Sequence, residues 1–159
     1  MFRGRNNMAT AVESRAAPVH LWIVGILSLL WSGFGCFDYV KTRMRDTDYL
    51  ASMMPTVDPN ALLAWIDAFP LWAQIGWGLG VWMGLIGSVL LLVRNRNAVP
   101  FFALSLLGAI LGLGYQAVAA PPLAGAEGPM VTIMPWVIIG VAVALFLYAR
   151  AQRASGVLR

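Results

Sequence analysis

The sequence predicts an all-α integral membrane protein: a four-transmembrane-helix bundle with both termini cytoplasmic and a short interfacial helix in the first external loop. Three observations predict it. Residues 16–37, 68–93, 97–126 and 128–149 contain no Asp, Glu, Lys or Arg, and each stretch reaches the roughly 20 apolar residues that cross a bilayer. The 11 Lys and Arg and the 7 Asp and Glu all fall between or beyond these stretches. Charged residues make up 11% of the chain and hydrophobic ones 60%, whereas a soluble domain carries about 25% charge. A soluble enzyme of this size would lack charge for its surface.

The elements follow in order, as one membrane domain over 1–159. Residues 1–17 form a polar cytoplasmic tail. Pro18 opens the first helix, 19–40, because proline suits the first helical turn. This apolar stretch exceeds a signal h-region of about 7–15 residues, and no Ala-x-Ala site follows it, so it is expected to be retained. Residues 41–69 form an external loop with structure of its own. Asp58-Pro59-Asn60 is a helix start, an Asp N-cap with Pro behind it. Ala61 to Phe69 then carries Leu62, Trp65, Ile66 and Phe69 on one stripe, as a segment that lies on the bilayer or caps the bundle. Thr47–Met54 adds another turn or two. Pro70 precedes the second span, 71–93. Arg94-Asn95-Arg96-Asn97 is a short polar turn. The third span, 98–119, stops before Pro121-Pro122. After a Pro-, Gly- and Ala-rich loop comes the fourth span, 130–148, and a cytoplasmic tail, 149–159.

Lys and Arg set the orientation. Four spans place Arg3, Arg5, Arg15, Arg94, Arg96, Arg150, Arg153 and Arg159 on one side, against Lys41, Arg43 and Arg45 on the other. The positive-inside rule assigns the first group to the cytoplasm. The +4 net charge thus reads as topology, not as nucleic-acid binding.

Small residues recur at helical spacing in every span, where bare backbone permits close approach. The second span has Gly76, Gly80, Gly84 and Ser88. The first has Ser28, Ser32 and Cys36, the third Gly108 and Gly112, and the fourth Gly140 and Ala144. These seams predict a compact bundle, and the long ridge of the second span could also serve a second chain.

Chemistry-bearing residues are few. Cys36 is the only cysteine and His20 the only histidine, which excludes an internal disulfide, a Cys-x-x-Cys pair, a bis-histidine haem and a multi-histidine metal site. No phosphate loop, nucleophile elbow or zinc-protease motif occurs, so the chain is expected not to be an enzyme. Asp38, near the external end of the first span, is expected to pair with Lys41 three residues on; a proton- or cation-coupling role is the alternative. Gln74 and Gln116 are expected to bond across the second and third spans, or to line a shallow external pocket with Asp38, Tyr39 and Tyr115. His20 reads as an interfacial anchor, or as a single axial ligand to a pigment. The deep Trp31, Trp77 and Trp82 read as core or lipid contact, or as a wall for a ligand. Met44, Met53, Met54, Met130 and Met134 read as gap fillers. No metal and no cofactor is called for; lipid is the expected contact, with pigment or quinone contact left open.

The run Leu21-Trp22, Leu30-Trp31-Ser32, Asp38-Tyr39, Thr42, Tyr49-Leu50, Pro70-Leu71-Trp72, Gly80-Val81-Trp82, Gly84, Gly87-Ser88, Leu90-Leu91-Leu92, Arg94 and Ser105-Leu106 resembles a family of small uncharacterised four-helix bacterial inner-membrane proteins, some automatically labelled sugar transporter. The resemblance covers about residues 20–116. It implies the fold and a multi-pass location in the bacterial inner membrane, and little about chemistry.

Three functions remain from the sequence. The first is a non-catalytic accessory or interaction subunit of a larger membrane complex, favoured by small size and a seam on every span. The second is a small-solute transporter or channel acting as a homodimer. The third is a pigment- or lipophilic-ligand-binding membrane protein. The expected partners are the lipid bilayer and other membrane-protein subunits or a second copy, with no nucleic acid.

Overall fold

The computed structural model describes residues 18–159; Arg3, Arg5 and Arg15 lie outside the described residues. Six helices run in order: α1 (Val19–Arg43), α2 (Thr47–Met53), α3 (Pro59–Asp67), α4 (Leu71–Leu92), α5 (Ala98–Val118) and α6 (Pro129–Ala154). No strand occurs among the described residues. Four of the helices, α1, α4, α5 and α6, are long and apolar enough to cross a membrane, and the chain is read as a membrane protein on that ground.

The centre of the fold is the antiparallel pair α4 and α5. A Cβ on Gly108 would collide with the backbone nitrogen of Gly80 and stand 2.6 Å from the Gly76 carbonyl oxygen. A Cβ on Gly112 would stand 2.8 Å from the backbone nitrogen of Trp77. Only glycine permits this backbone-to-backbone contact, which supplies the close van der Waals packing that holds helices together in lipid. Gly84 faces Ser105, and Gly87 faces the ring of Phe102. The glycine ridge of α4 is thus occupied inside the chain by α5 and is not left for a second chain.

α1 packs on the other flank of α4, and α6 on the far flank of α5. The four long helices stand in the order α1, α4, α5, α6. α1 and α6 have no extended packing along their lengths. They come together at one end, where Leu21 and Ala149 share a buried cluster with Leu91, Ala98 and Phe102.

That end is closed by the last residues of the chain. α6 does not stop at Tyr148 but continues to Ala154, because Ala149–Ala154 contains no helix breaker. Gly156 then adopts φ +75°. Its N–H donates to the Arg153 carbonyl, and the Val157 N–H donates to that of Gln152. This is a Schellman ending, for which glycine is the usual residue. The chain turns back, so Val157 and Leu158 are buried in the same cluster. Arg159 exchanges two backbone hydrogen bonds with the α4–α5 turn, its N–H to Arg94 O and its carbonyl from Arg96 N, both 2.8 Å. The expected cytoplasmic tail is therefore a strap.

α1 and α4 end in the same 6→1 and 5→2 bonding pattern, but with arginine in the left-handed position: Arg45 at φ 58° and Arg94 at φ 59°. A non-glycine residue there costs about 1–2 kcal/mol. In both, the guanidinium bonds onward, from Arg45 to Asp67 at 3.0 Å and from Arg94 Nε to the Val157 carbonyl at 3.2 Å.

The opposite end carries α2, α3 and the 119–128 loop. Asp58 caps α3 by accepting from the Asn60 and Ala61 amides. Leu50, Val57, Leu62 and Leu63 form a second small core, joined by Leu123 and Ala126 of the later loop. Thr56 Oγ1 donates to the Gly125 carbonyl at 2.9 Å and Trp65 Nε1 to that of Pro121 at 2.7 Å. These bonds tie the two loops into one cap.

Candidate functional site

The polar groups of the fold converge where α1 ends under this cap. Asp38, Tyr39, Thr42 and Arg43 lie on its last two turns, and the left-handed Arg45 turns the chain into α2. Asp38 does not pair with Lys41. Lys41 Nζ instead donates to Asp46 Oδ2 at 2.6 Å, and the Tyr49 hydroxyl donates to Asp38 Oδ1 at 2.9 Å. The reason is local. The Schellman turn folds Asp46 back over the end of α1, within reach of Lys41. Asp46 also caps α2 through the Tyr49 amide, which brings the Tyr49 ring to Asp38 and edge-on to Phe37, with centroids 5.5 Å apart.

Two groups of the cap titrate away from their ordinary values. Burial, together with its bond to Asp38, pushes the Tyr49 hydroxyl up to about 12. The hydrogen bond from Lys41 foremost, then the Tyr49 amide, holds Asp46 below the usual carboxylate range.

Gln74 does not reach Gln116. Its Oε1 accepts from Arg43 at 3.2 Å and its Nε2 donates to the Phe69 carbonyl at 2.9 Å, because the first turn of α4 faces α1 and α3. The Arg43 guanidinium also lies over the Tyr39 ring, 5.9 Å from its centroid. Tyr39 in turn packs edge-on against Trp77, at 4.9 Å between centroids. Beneath them Gly78 leaves room for the phenol: a Cβ there would stand 2.9 Å from the Tyr39 hydroxyl oxygen. Arg43, Arg45, Asp67, Gln74 and Thr42, with Leu63 and Ile66, line a cleft of about 390 Å³. Tyr115 sits apart from it, between Phe69 and Trp72 at 5.0 and 5.4 Å. The five polar residues named from the sequence thus divide: Asp38 joins α2, Tyr39 and Gln74 meet through Arg43, and Tyr115 belongs to an aromatic cluster. No hydrogen bond joins Gln116 to Gln74 among the described residues.

The serine hydroxyls inside the spans are turned inward. Ser28 donates to the Gly25 carbonyl, Ser88 to that of Gly84 and Ser105 to that of Gly80 across the α4–α5 contact, at 2.7 Å. Ser32 and Ser88 lie 3.4 Å apart between α1 and α4, and Cys36 Sγ donates to the Val81 carbonyl at 3.4 Å. No buried side-chain nitrogen or oxygen lacks a partner among the described residues. At the strap end, His20 Nδ1 shares a 2.6 Å hydrogen bond with the Tyr148 hydroxyl, which joins the start of α1 to α6. Trp77 is packed, while Trp31 and Trp82 stand exposed on the outer faces of α1 and α4. No group of three metal-ligating side chains occurs among the described residues.

Sequence reasoning gave no functional role to Tyr49, Arg43, Arg45, Asp67 or Tyr148. Tyr49 and Asp67 lie in the loop, where apolar periodicity says nothing about partners. Arg43 and Arg45 were counted only as topology. Tyr148, one residue before the last of the uncharged run 128–149, carried no motif.

Set against protein-family models, curated proteins and solved structures, the chain matches none. The functional reading therefore rests on the residues and their geometry.

Proposed function

We propose that this chain is a non-catalytic multi-pass protein of the bacterial inner membrane that serves as an accessory or interaction subunit of a larger membrane complex. The observation that carries the reading is the state of α6. Of its apolar window 6% is buried, against 28%, 39% and 33% in α1, α4 and α5. A Cβ on Gly140 would meet nothing within 4 Å, although Gly140 and Ala144 have the spacing that α4 uses against α5. In lipid no hydrophobic force drives helices together, so close packing at small residues selects partners. The exposed small-residue face of α6 is suited to another transmembrane helix.

Other features support the reading. All acidic groups among the described residues, Asp38, Asp46, Asp48, Asp58, Asp67 and Glu127, lie at the cap end. Arg94, Arg96, Arg150, Arg153 and Arg159 lie at the strap end. The positive-inside rule then puts the strap in the cytoplasm and the cap outside. The serine hydroxyls are committed to backbone carbonyls or to one another, which argues against a nucleophile with a base beside it. The polar cleft at the cap is lined by residues at or beyond the ends of the spans, Thr42, Arg43, Arg45, Leu63, Ile66, Asp67 and Gln74, and by none from the middle of one, which argues against a polar path continuing inward from it.

The test is the native size of the protein in gently solubilised source membranes, by native gel with mass spectrometry of each band. Co-migration with larger proteins, lost in a Gly140→Leu variant that still folds, is the expected result. A band of two copies would support the homodimeric transporter instead, and a single copy free of partners would overturn the proposal.

A further inference from the structure

We propose that a second cleft, between the first turn of α5 and the last turns of α6, is a binding site for an acidic glycerophospholipid. Arg150 and Arg153 would hold its phosphate, and Val99 and Phe146 would carry the upper part of an acyl chain. The cleft measures about 450 Å³ and is lined by Val99, Phe146, Arg150, Arg153 and Ala154. Phe146, Arg150, Arg153 and Ala154 fall at i, i+4, i+7 and i+8 on α6, one stripe of a helix. Val99 faces them from α5. The site is therefore graded along the helix axis: apolar one turn toward the middle of the span, cationic at its end. An amphiphile with a charged head and a hydrocarbon tail has that same grading.

Charge decides the class of head group. At the cap the chain supplies partners for its own arginines: Arg45 has Asp67, and Arg43 has Gln74 and the Tyr39 ring. Arg150 and Arg153 are exposed and form no ion pair among the described residues. A guanidinium presents a planar fork that matches phosphate oxygens. Two of them with no carboxylate within ion-pair distance leave a net positive site, which a zwitterionic lipid would not neutralise. A lone inorganic anion would use the arginines and leave Val99 and Phe146 uncovered, so the apolar half of the cleft commits the proposal to a lipid. Each basic residue near a membrane surface strengthens acidic-lipid binding by a factor of about 5, so loss of both predicts a fall of roughly 30-fold.

The experiment uses the full chain purified in a mild non-ionic detergent, with bound lipid counted by native mass spectrometry during titration. Dioleoyl phosphatidylglycerol is expected to bind in preference to dioleoyl phosphatidylcholine. In R150Q/R153Q its affinity should fall roughly 30-fold, while R96Q, outside the cleft, should stay within a few-fold of the parent chain. Val99→Trp, which fills the apolar half and leaves both arginines, should also weaken binding. Equal affinity for the two lipids, or unchanged binding in R150Q/R153Q, would overturn the proposal. Displacement of the lipid by millimolar inorganic phosphate would also overturn it, in favour of a simple anion site. Should the double variant fail to fold, the head-group preference and phosphate competition on the parent chain, with Val99→Trp, decide the matter.

Discussion

The Tyr49 hydroxyl donates to Asp38 across the junction of α1 and α2, at 2.9 Å. The bond gives a half-buried carboxylate a donor from the chain and fixes the first helix of the cap to the end of a span. It also makes Asp38 a structural anchor. Replacing Tyr49 by Phe would leave that carboxylate without its donor, at a cost of about 1–3 kcal/mol. Asp38→Asn keeps an acceptor for the phenol and should lose less. Thermal unfolding in detergent, followed by circular dichroism, checks the order. A larger loss in Asp38→Asn than in Tyr49→Phe would mean that the charge itself is needed, as a coupling role requires.

The same pair sets an alkaline limit. The Tyr49 hydroxyl ionises at about 12 in the folded chain, against about 10 for a free phenol. Folding therefore favours the protonated form. Its contribution is fully present below pH 10 and is lost as pH rises from 10 to about 12, where the unfolded chain releases the proton and the folded one does not. Asp46 acts in the opposite sense. Its value lies below that of a free carboxylate, so its contribution is present above about pH 4 and is lost as pH falls further. Unfolding midpoints measured against pH should decline at both extremes. The alkaline decline should flatten in Tyr49→Phe, and the acid one in Asp46→Asn.

Two glycines should respond in opposite ways. Gly108→Ala places a methyl against the backbone of Gly80 and Gly76, and backbone on both sides has nowhere to yield. The expected loss is about 1–3 kcal/mol, as for an overpacked core. Gly140→Ala meets open space. It should leave the isolated chain unchanged or stabilise it by up to about 1 kcal/mol, since alanine is the better helix former. The same thermal unfolding experiment reads both. A loss at Gly140 in the isolated chain would show that α6 packs where the structure leaves it open.

The spans were legible because lipid leaves one solution: uncharged runs of sufficient length must be helices. The starts at Pro18, Asp58-Pro59 and Pro70 were legible for a similar local reason, a proline at the N-cap or the first position of the helix. The partners of Asp38 and Gln74 were not. Asp38 bonds to Tyr49, which is placed by a turn whose path depends on a left-handed arginine, Arg45, and left-handed arginine has no sequence signature. Gln74 bonds to Arg43 and the Phe69 carbonyl, which depends on how the end of α1 meets the start of α4. The strap was equally hidden. Gly156 marks a helix end, but nothing in Val157-Leu158-Arg159 says that the chain returns to Leu21 and Phe102 and does not leave.

That strap supports a final expectation. Val157 and Leu158 are buried against α1, α4, α5 and α6 together, at the only place where the described contacts join α1 to α6 through a shared core. Burial of one such side chain contributes about 1.5–3 kcal/mol. Val157→Ser with Leu158→Ser should therefore destabilise the chain by at least about 2 kcal/mol. It should also release the backbone bonds between Arg159 and the 94–96 turn. Hydrogen exchange at the Arg159 amide, which donates to Arg94, reads that release directly: slow in the parent chain, fast in the double variant. Arg159→Gln serves as the control, because both of those bonds are made by its backbone. It should leave exchange and stability as they are. If the double serine variant kept a slow Arg159 amide, the backbone pairing alone would hold the strap, and the buried pair would not be what closes α1 onto α6.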